Sequence, residues 1–267
     1  MATEDSAYRI VSQDEFQSLA AERRSFAGLL LPSTLVLEGA DLSDSRFDRC
    51  LFSETTIRGV DFSGSAFADC KFEPVRFASC KFSRARFRNC AWFDSDRKKA
   101  CTFAFCGMQD VEALQCNFAT TMFERCDLYG LGAVDSSFRG AQFHQSTFSK
   151  TISRRSTLTK ASFERCNISF ADLSGLVLQN CEFRSCKFSE ASFIDSDFGN
   201  ATMLDCSLDR VEWTRARLRG ADLRGSDLSG LNLSVLSDYA GMRVSESEQS
   251  EILRQIGIQV HRSRDDK

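Results

Sequence analysis

Phenylalanine recurs at every fifth position between Val60 and Cys90, at Phe62, Phe67, Phe72, Phe77, Phe82 and Phe87. Two places before each stands a smaller residue: Val60, Ser65, Cys70, Val75, Cys80 and Ala85. A helix places apolar residues at steps of three and four, and a half-buried strand at steps of two. A step of five satisfies neither. It requires a backbone that turns a corner every five residues and returns one large side chain to a common interior, which is the signature of a solenoid.

The register extends back through Ile57, Phe52, Phe47 and Leu42 to Leu37 and forward to Trp92. It resumes at Phe103 and runs in fives to Leu233. The eleven residues from Trp92 to Phe103 read as two repeats carrying one extra residue. This fault lies in 93–102, where an unbroken register would bury Lys98, so a bulge or small loop is expected. Glycine recurs two places after the central residue, as at Gly59 and Gly64, where a corner calls for positive φ.

Repeats such as Ala40-Asp41-Leu42-Ser43-Asp44 and Ala221-Asp222-Leu223-Arg224-Gly225 resemble the Ala-Asp-Leu-X-X unit of the pentapeptide-repeat family. The resemblance covers about residues 35 to 235. It implies an all-β fold, a right-handed quadrilateral parallel β-helix with about four repeats to a coil. Stacked coils would satisfy their backbone groups through parallel ladders spaced about 4.8 Å. The chain then divides into an N-terminal cap (1–34), the β-helix (35–235) and a C-terminal capping helix and tail (236–267).

All twelve cysteines fall two places before a central residue, in the slot that Ala, Ser, Thr and Val otherwise fill. There is no Cys-X-X-Cys, and His144 and His261 lie in no cluster. The spacing predicts packed, reduced thiols, with Cys106 over Cys126 and Cys166, Cys186 and Cys206 in one stack; no metal or cofactor is expected. Reading every twentieth position predicts a ladder Phe103, Phe123, Phe143, Phe163, Phe183. A filled interior leaves no substrate pocket, and no phosphate loop, acid–base histidine or Gly-X-Ser-X-Gly is present, so enzymatic activity is not expected. Ala113, Ala133 and Ser153 replace the large residue at three successive coils. Beside them lie Lys150, Arg154, Arg155 and Lys160, and the alternatives are a repacked corner or a shallow groove for an acidic partner.

A repeat stack needs covered ends. Ser12-Gln13-Asp14-Glu15 has capping-box form and predicts a helix over about 13–25, followed by Leu29, Leu30 and Leu31 entering the first coil near Pro32. Ser245-Glu246-Ser247-Glu248 predicts a second capping box, ahead of Ile252, Leu253 and Ile256, with Gly257 as C-cap. Ile258-Gln259-Val260 would form a short strand, and Arg262 to Lys267 a polar tail. The first residues lack a secretory signal and no stretch could span a membrane, so a cytoplasmic location is expected.

The Phe- and Cys-rich repeats are similar to the branch of the family that gives quinolone resistance or toxin self-immunity. That likeness implies a non-enzymatic, DNA-mimicking binder of DNA gyrase or topoisomerase IV, homodimeric through its C-terminal end, where Ile252, Leu253, Ile256 and Ile258 are the candidate contacts. The alternative is a general protein–protein interaction scaffold or effector of unknown partner. The charge is nearly balanced: nine basic and eight acidic residues over 37–92, fourteen and sixteen over 103–233. A DNA mimic needs an acidic face, and the best candidate is Glu190, Asp195, Asp197, Asp205, Asp209 and Glu212, interrupted by Arg210. Opposing it is the basic run Lys81, Arg84, Arg86, Arg88, Arg97, Lys98 and Lys99, which lacks the interleaved exposed aromatics of a single-strand binder, so direct nucleic-acid binding is not expected. The fault supplies the other candidate contacts: Asp94, Ser95, Asp96, Arg97, Lys98 and Lys99.

Overall fold

A computed structural model of the chain describes residues 8–22, 25–53, 55–94, 96–153 and 156–259. It is a parallel β-solenoid of ten coils, four-sided because each coil carries four inward residues. The first face stacks Phe26, Phe47, Phe67, Phe87, Ala113, Ala133, Phe163, Phe183 and Met203, and its nine strands, from Ser25–Ala27 to Thr202–Leu204, form one continuous parallel sheet. Ten coils at about 4.8 Å each give a rod roughly 50 Å long.

The repeat chemistry explains the corners. Most corner residues take positive φ, and their N–H groups donate to the carbonyl of the next coil, as from Asp44 to Ser63 at 2.8 Å and from Arg49 to Ala68 at 2.9 Å. That ladder holds even Phe105 (φ 56°) and Phe170 (φ 61°) in the left-handed region, so the corners do not depend on glycine. The aspartate before the central residue closes the turn locally. Asp61 accepts from the Ser63 N–H at 2.9 Å and Asp197 from Gly199 at 2.9 Å. Where the small inward slot holds Ser or Cys, the side chain can donate to a carbonyl of the preceding coil, as Ser65 Oγ does to Leu42 at 2.7 Å and Cys70 Sγ to Phe47 at 3.4 Å.

All twelve thiols are buried and unbridged. Burial pushes Cys101 and Cys181 up to about 12, well above the range in which a thiolate forms readily. The interior is an aromatic column: Phe26, Phe47 and Phe67 stack at 4.6 and 4.7 Å, and Phe72, Trp92 and Phe118 at 3.7 and 5.5 Å.

Two expectations about register fail. The residues between Trp92 and Phe103 are one repeat step plus a six-residue insertion, because Phe77 stacks on Phe103 and Phe87 on Ala113, 26 residues apart. The run 103–233 is also broken. Ser149–Ser153 and Ser156–Thr159 pair antiparallel as a projecting hairpin, leaving Ser153 and Leu158 outside. Ala133 therefore meets Phe163, thirty residues on, and Phe143 meets the repeat of Leu173, so the expected five-phenylalanine ladder is split.

The solenoid also begins earlier than the repeats suggest, with Phe26 and Leu31 occupying the first coil. Helix α1 (Gln13–Glu22) is shorter than expected because the chain must reach the first face at Ser25; Arg23 lies outside the described residues. It seats Phe16 5.2 Å from Phe26. Helix α2 (Gln249–Gln255) buries Ile252 and ends as foreseen at Gly257 (φ 84°), with Gly257 N–H donating to Arg254 and Ile258 N–H to Leu253, both at 2.9 Å. The second capping box does not form. Ser245 makes no cap bond, because its hydroxyl accepts from Gly225 N–H at 2.8 Å. Residues 258–259 form no strand; Val260 and 262–267 lie outside the described residues. Among the described residues no helix is long and apolar enough to cross a membrane.

Candidate protein-interaction surfaces

The six-residue insertion is a hairpin of Phe93–Asp94 against Lys99–Ala100, at the corner between the second and third faces of coil four. The Asp94 carboxylate organises its tip by accepting from Asp96 N–H at 2.9 Å and Arg97 N–H at 3.0 Å. Arg97 lies 3.7 Å from Asp94 and 3.6 Å from Glu73, tying the tip back to the solenoid. Asp96, Arg97, Lys98 and Lys99 are exposed, and Lys98 (φ 53°) turns the chain. Ser95 lies outside the described residues. The structure thus presents two lysines and an arginine at the end of a short, internally braced projection.

The second hairpin, at 149–159, leaves the corner between the fourth and first faces, diagonally opposite the first and two coils further on. It exposes Ile152 (56 %) and Leu158 (50 %), and Lys150 lies 5.7 Å from the Tyr129 ring. Arg154 and Arg155 lie outside the described residues. Sequence reasoning missed this element because ten inserted residues equal two repeats. The usable signal was chemical: a serine at the central place 153 and a β-branched run Thr151, Ile152, Thr157, Thr159.

The six acidic candidates do not share one face. Glu190, Asp209 and Glu212 surround the corner between the second and third faces, Asp195 and Asp197 flank the next corner, and Asp205 sits between the first and second faces. Most are neutralised locally. Glu190 lies 3.0 Å and Asp209 3.2 Å from Arg210, Asp195 lies 2.5 Å from Arg215, and Asp197 lies 3.8 Å from Arg217. The Arg215 hydrogen bonds hold Asp195 below the usual carboxylate range, and the Ser189 and Ser207 hydroxyls do the same for Asp209. Asp197 and Glu212 also close their own turns, Glu212 through Thr214 N–H at 3.3 Å.

At the C-terminal end Ile252 is buried and Leu253 half-buried, while Ile256 and Ile258 are 44 and 48 % exposed. Ala113 and Ala133 stack on each other inside the first face, and Leu114, beside them, is exposed.

Comparison with known proteins agrees with this architecture. Residues 156–233 match the profile of the pentapeptide repeat region, and residues 36–73 and 136–169 that of pentapeptide repeats in eight copies, together about half of the chain. The quinolone resistance pentapeptide repeat protein QnrB96 of Scandinavium goeteborgense is 24 % identical over 54 % of this chain and 56 % of its own. The pentapeptide repeat protein QnrB4 of Escherichia coli is 22 % identical over 56 % of this chain and 62 % of its own. The chain therefore spans less than two thirds of the length of either relative. Among solved structures, full-length QnrB1, a plasmid-mediated fluoroquinolone resistance protein, superposes with a TM-score of 0.70 at 21 % identity, covering 88 % of this chain and all of that one. The repeat chemistry, the four-sided stack and these likenesses agree: the chain belongs to the pentapeptide-repeat family.

Proposed function

We propose that this protein is a non-enzymatic interaction protein of the quinolone-resistance type, binding a type II topoisomerase, DNA gyrase or topoisomerase IV, and protecting it from quinolone or toxin. The names of its relatives support this reading. The observation that carries it is the pair of hairpins on a rigid rod, since loops on a rigid scaffold carry function more often than the scaffold does. The paired arginines weaken the case for mimicry of DNA by a continuous acidic surface, so the contact is assigned to the hairpin tip at Asp94, Ser95, Asp96, Arg97, Lys98 and Lys99. Glu190, Asp195, Asp197, Asp205, Asp209 and Glu212 are the secondary candidates, and Ile256 and Ile258 offer an apolar surface for pairing of two copies.

The test is a supercoiling assay with purified gyrase, with and without ciprofloxacin. Deleting Asp94–Lys99 joins Phe93 to Ala100 and restores a five-residue step from Trp92 to Phe103, so the rod stays whole. Wild type should protect or inhibit the enzyme and the deletion variant should do neither. No effect of wild type on either topoisomerase overturns the proposal. Full activity of the folded deletion variant removes the hairpin from it.

A further inference from the structure

The outward side of the first face carries a groove of about 450 Å³ over coils two to five. Its floor is Ala66 and Ala68, whose short side chains make a depression between longer neighbours. Arg46 and Arg86 pair with Ala66 from either side in the parallel ladder, so they stand two coils apart, about 9.6 Å, on the two walls. Both are exposed, and neither forms an ion pair or side-chain hydrogen bond among the described residues. Arg88 stands next to Ala68 and is only 3.9 Å from Asp69 at its closest approach. The far end closes on Leu114, 42 % exposed, and Glu112.

The geometry points to this groove as a docking site for an acidic amphipathic helix of a partner protein, laid along the rod axis. The strands beneath are paired on both sides, so no backbone edge is open and recognition falls to side chains. Carboxylates seven residues apart on a helix are separated by about 10.5 Å, which matches the span from Arg46 to Arg86. A leucine three residues after the first carboxylate then faces the alanine floor, and its equivalent in the next heptad, about 15 Å along, faces Leu114. Unpaired arginines bind carboxylates in forked geometry. A continuous polyanion such as a nucleic-acid strand fits less well. Glu112 caps the cationic stretch, Glu164 and Glu182 follow on the same face, and no exposed aromatic lines the groove for base stacking.

The probe is a fluorescein-labelled peptide of three heptads, Glu-Gln-Ala-Leu-Ala-Gln-Ala, measured by fluorescence anisotropy against the full chain at low and high salt. Its controls are the same peptide with Gln for each Glu, and an oligothymidylate of matched length. The acidic peptide should bind and weaken as salt rises, and the Gln peptide should fail. Arg46→Gln with Arg86→Gln should reduce affinity by about tenfold, and Arg46→Glu with Arg86→Glu by more. Unchanged melting temperatures of these surface variants establish that binding, not folding, was altered. No binding tighter than millimolar, equal binding by the double variants, or tighter binding of oligothymidylate overturns the assignment.

Discussion

Deleting Lys150–Thr159 should leave the solenoid standing, because the ten residues of the second hairpin span two repeat lengths. The shortened chain reads Phe148-Ser149-Lys160-Ala161-Ser162-Phe163, a five-residue step from one inward phenylalanine to the next. In the intact chain the Lys160 carbonyl accepts from Gly130 N–H at 2.7 Å, the place held elsewhere by the residue before a corner, so the deletion passes that role to Ser149 and moves Lys160 into the corner. Within 150–159 no described residue is buried, so little apolar contact is lost. Shortening an eleven-residue connection to a single residue recovers about 2 kcal/mol of closure entropy. Against this, Lys160 must adopt the left-handed conformation of its stacked neighbours Gly130 (φ 78°) and Asn180 (φ 58°), at about 1–2 kcal/mol. Loss of the Lys150–Tyr129 contact removes about 0.5 kcal/mol. The terms nearly cancel, so the melting temperature should move by no more than about 4 °C. Thermal unfolding followed by circular dichroism measures this. Deleting only nine residues, Lys150–Leu158, shifts every later inward side chain by one place and should lower the melting temperature by more than about 10 °C or prevent folding. Equal damage from the two deletions, or equal tolerance of both, would refute the register.

Phe143, 4 % exposed and stacked 5.0 Å from Phe123, should cost about 3–5 kcal/mol on replacement by Ala, whereas exposed Gln142→Ala should be near neutral in the same melt. The twelve thiols should resist Ellman's reagent in the native protein and react together on denaturation; rapid native labelling of several would contradict the packing of the small slots. Asp222 is held below the usual carboxylate range by Arg224 first and Arg243 second, and it ties the last coil to the chain that follows. Because its folded pKa is depressed, its contribution is complete above about pH 4 and disappears as pH falls through the lowered value. Asp222→Asn should therefore melt earlier than wild type at pH 7, by a margin that narrows as pH falls below about 4, and a constant difference would exclude the ion pair as its cause.

The five-residue period was legible because every coil must bury one large residue per face, and Phe62 to Phe87 obey that demand without exception. The same arithmetic hid what did not disturb it. The hairpin at 149–159 preserves the count, so only the exposed character of Ser153 and Leu158 betrays it, while the insertion after Trp92 was visible yet divided wrongly. The acidic residues misled for a geometric reason. Asp195, Asp205 and Glu212 are near in sequence, but successive corners point them in different directions, and the arginines beside Glu190, Asp195 and Asp197 lie a full coil away. Arg46 and Arg86, forty residues apart in sequence, are two rungs of one ladder. Ser245 satisfied every local rule for a cap and was drawn instead to Gly225, a partner twenty residues away that local spacing does not reveal.

At each end of the rod, where backbone pairing stops short, a side chain impersonates backbone. At the front, the Gln13 carboxamide accepts from Val36 N–H at 2.9 Å and donates to Val36 carbonyl at 3.1 Å, taking the place of a missing strand. At the back, the Ser245 hydroxyl stands where the carbonyl of an eleventh coil would receive Gly225 N–H. A solenoid left open would offer each rod a template for the next, and polymerisation head to tail would have no natural stop. Val36 is 67 % exposed, so on this face a single carboxamide holds the edge shut. Fibre formation is thus opposed by atoms that contribute nothing to the hydrophobic core. The length of the particle is set by where the chain stops imitating itself.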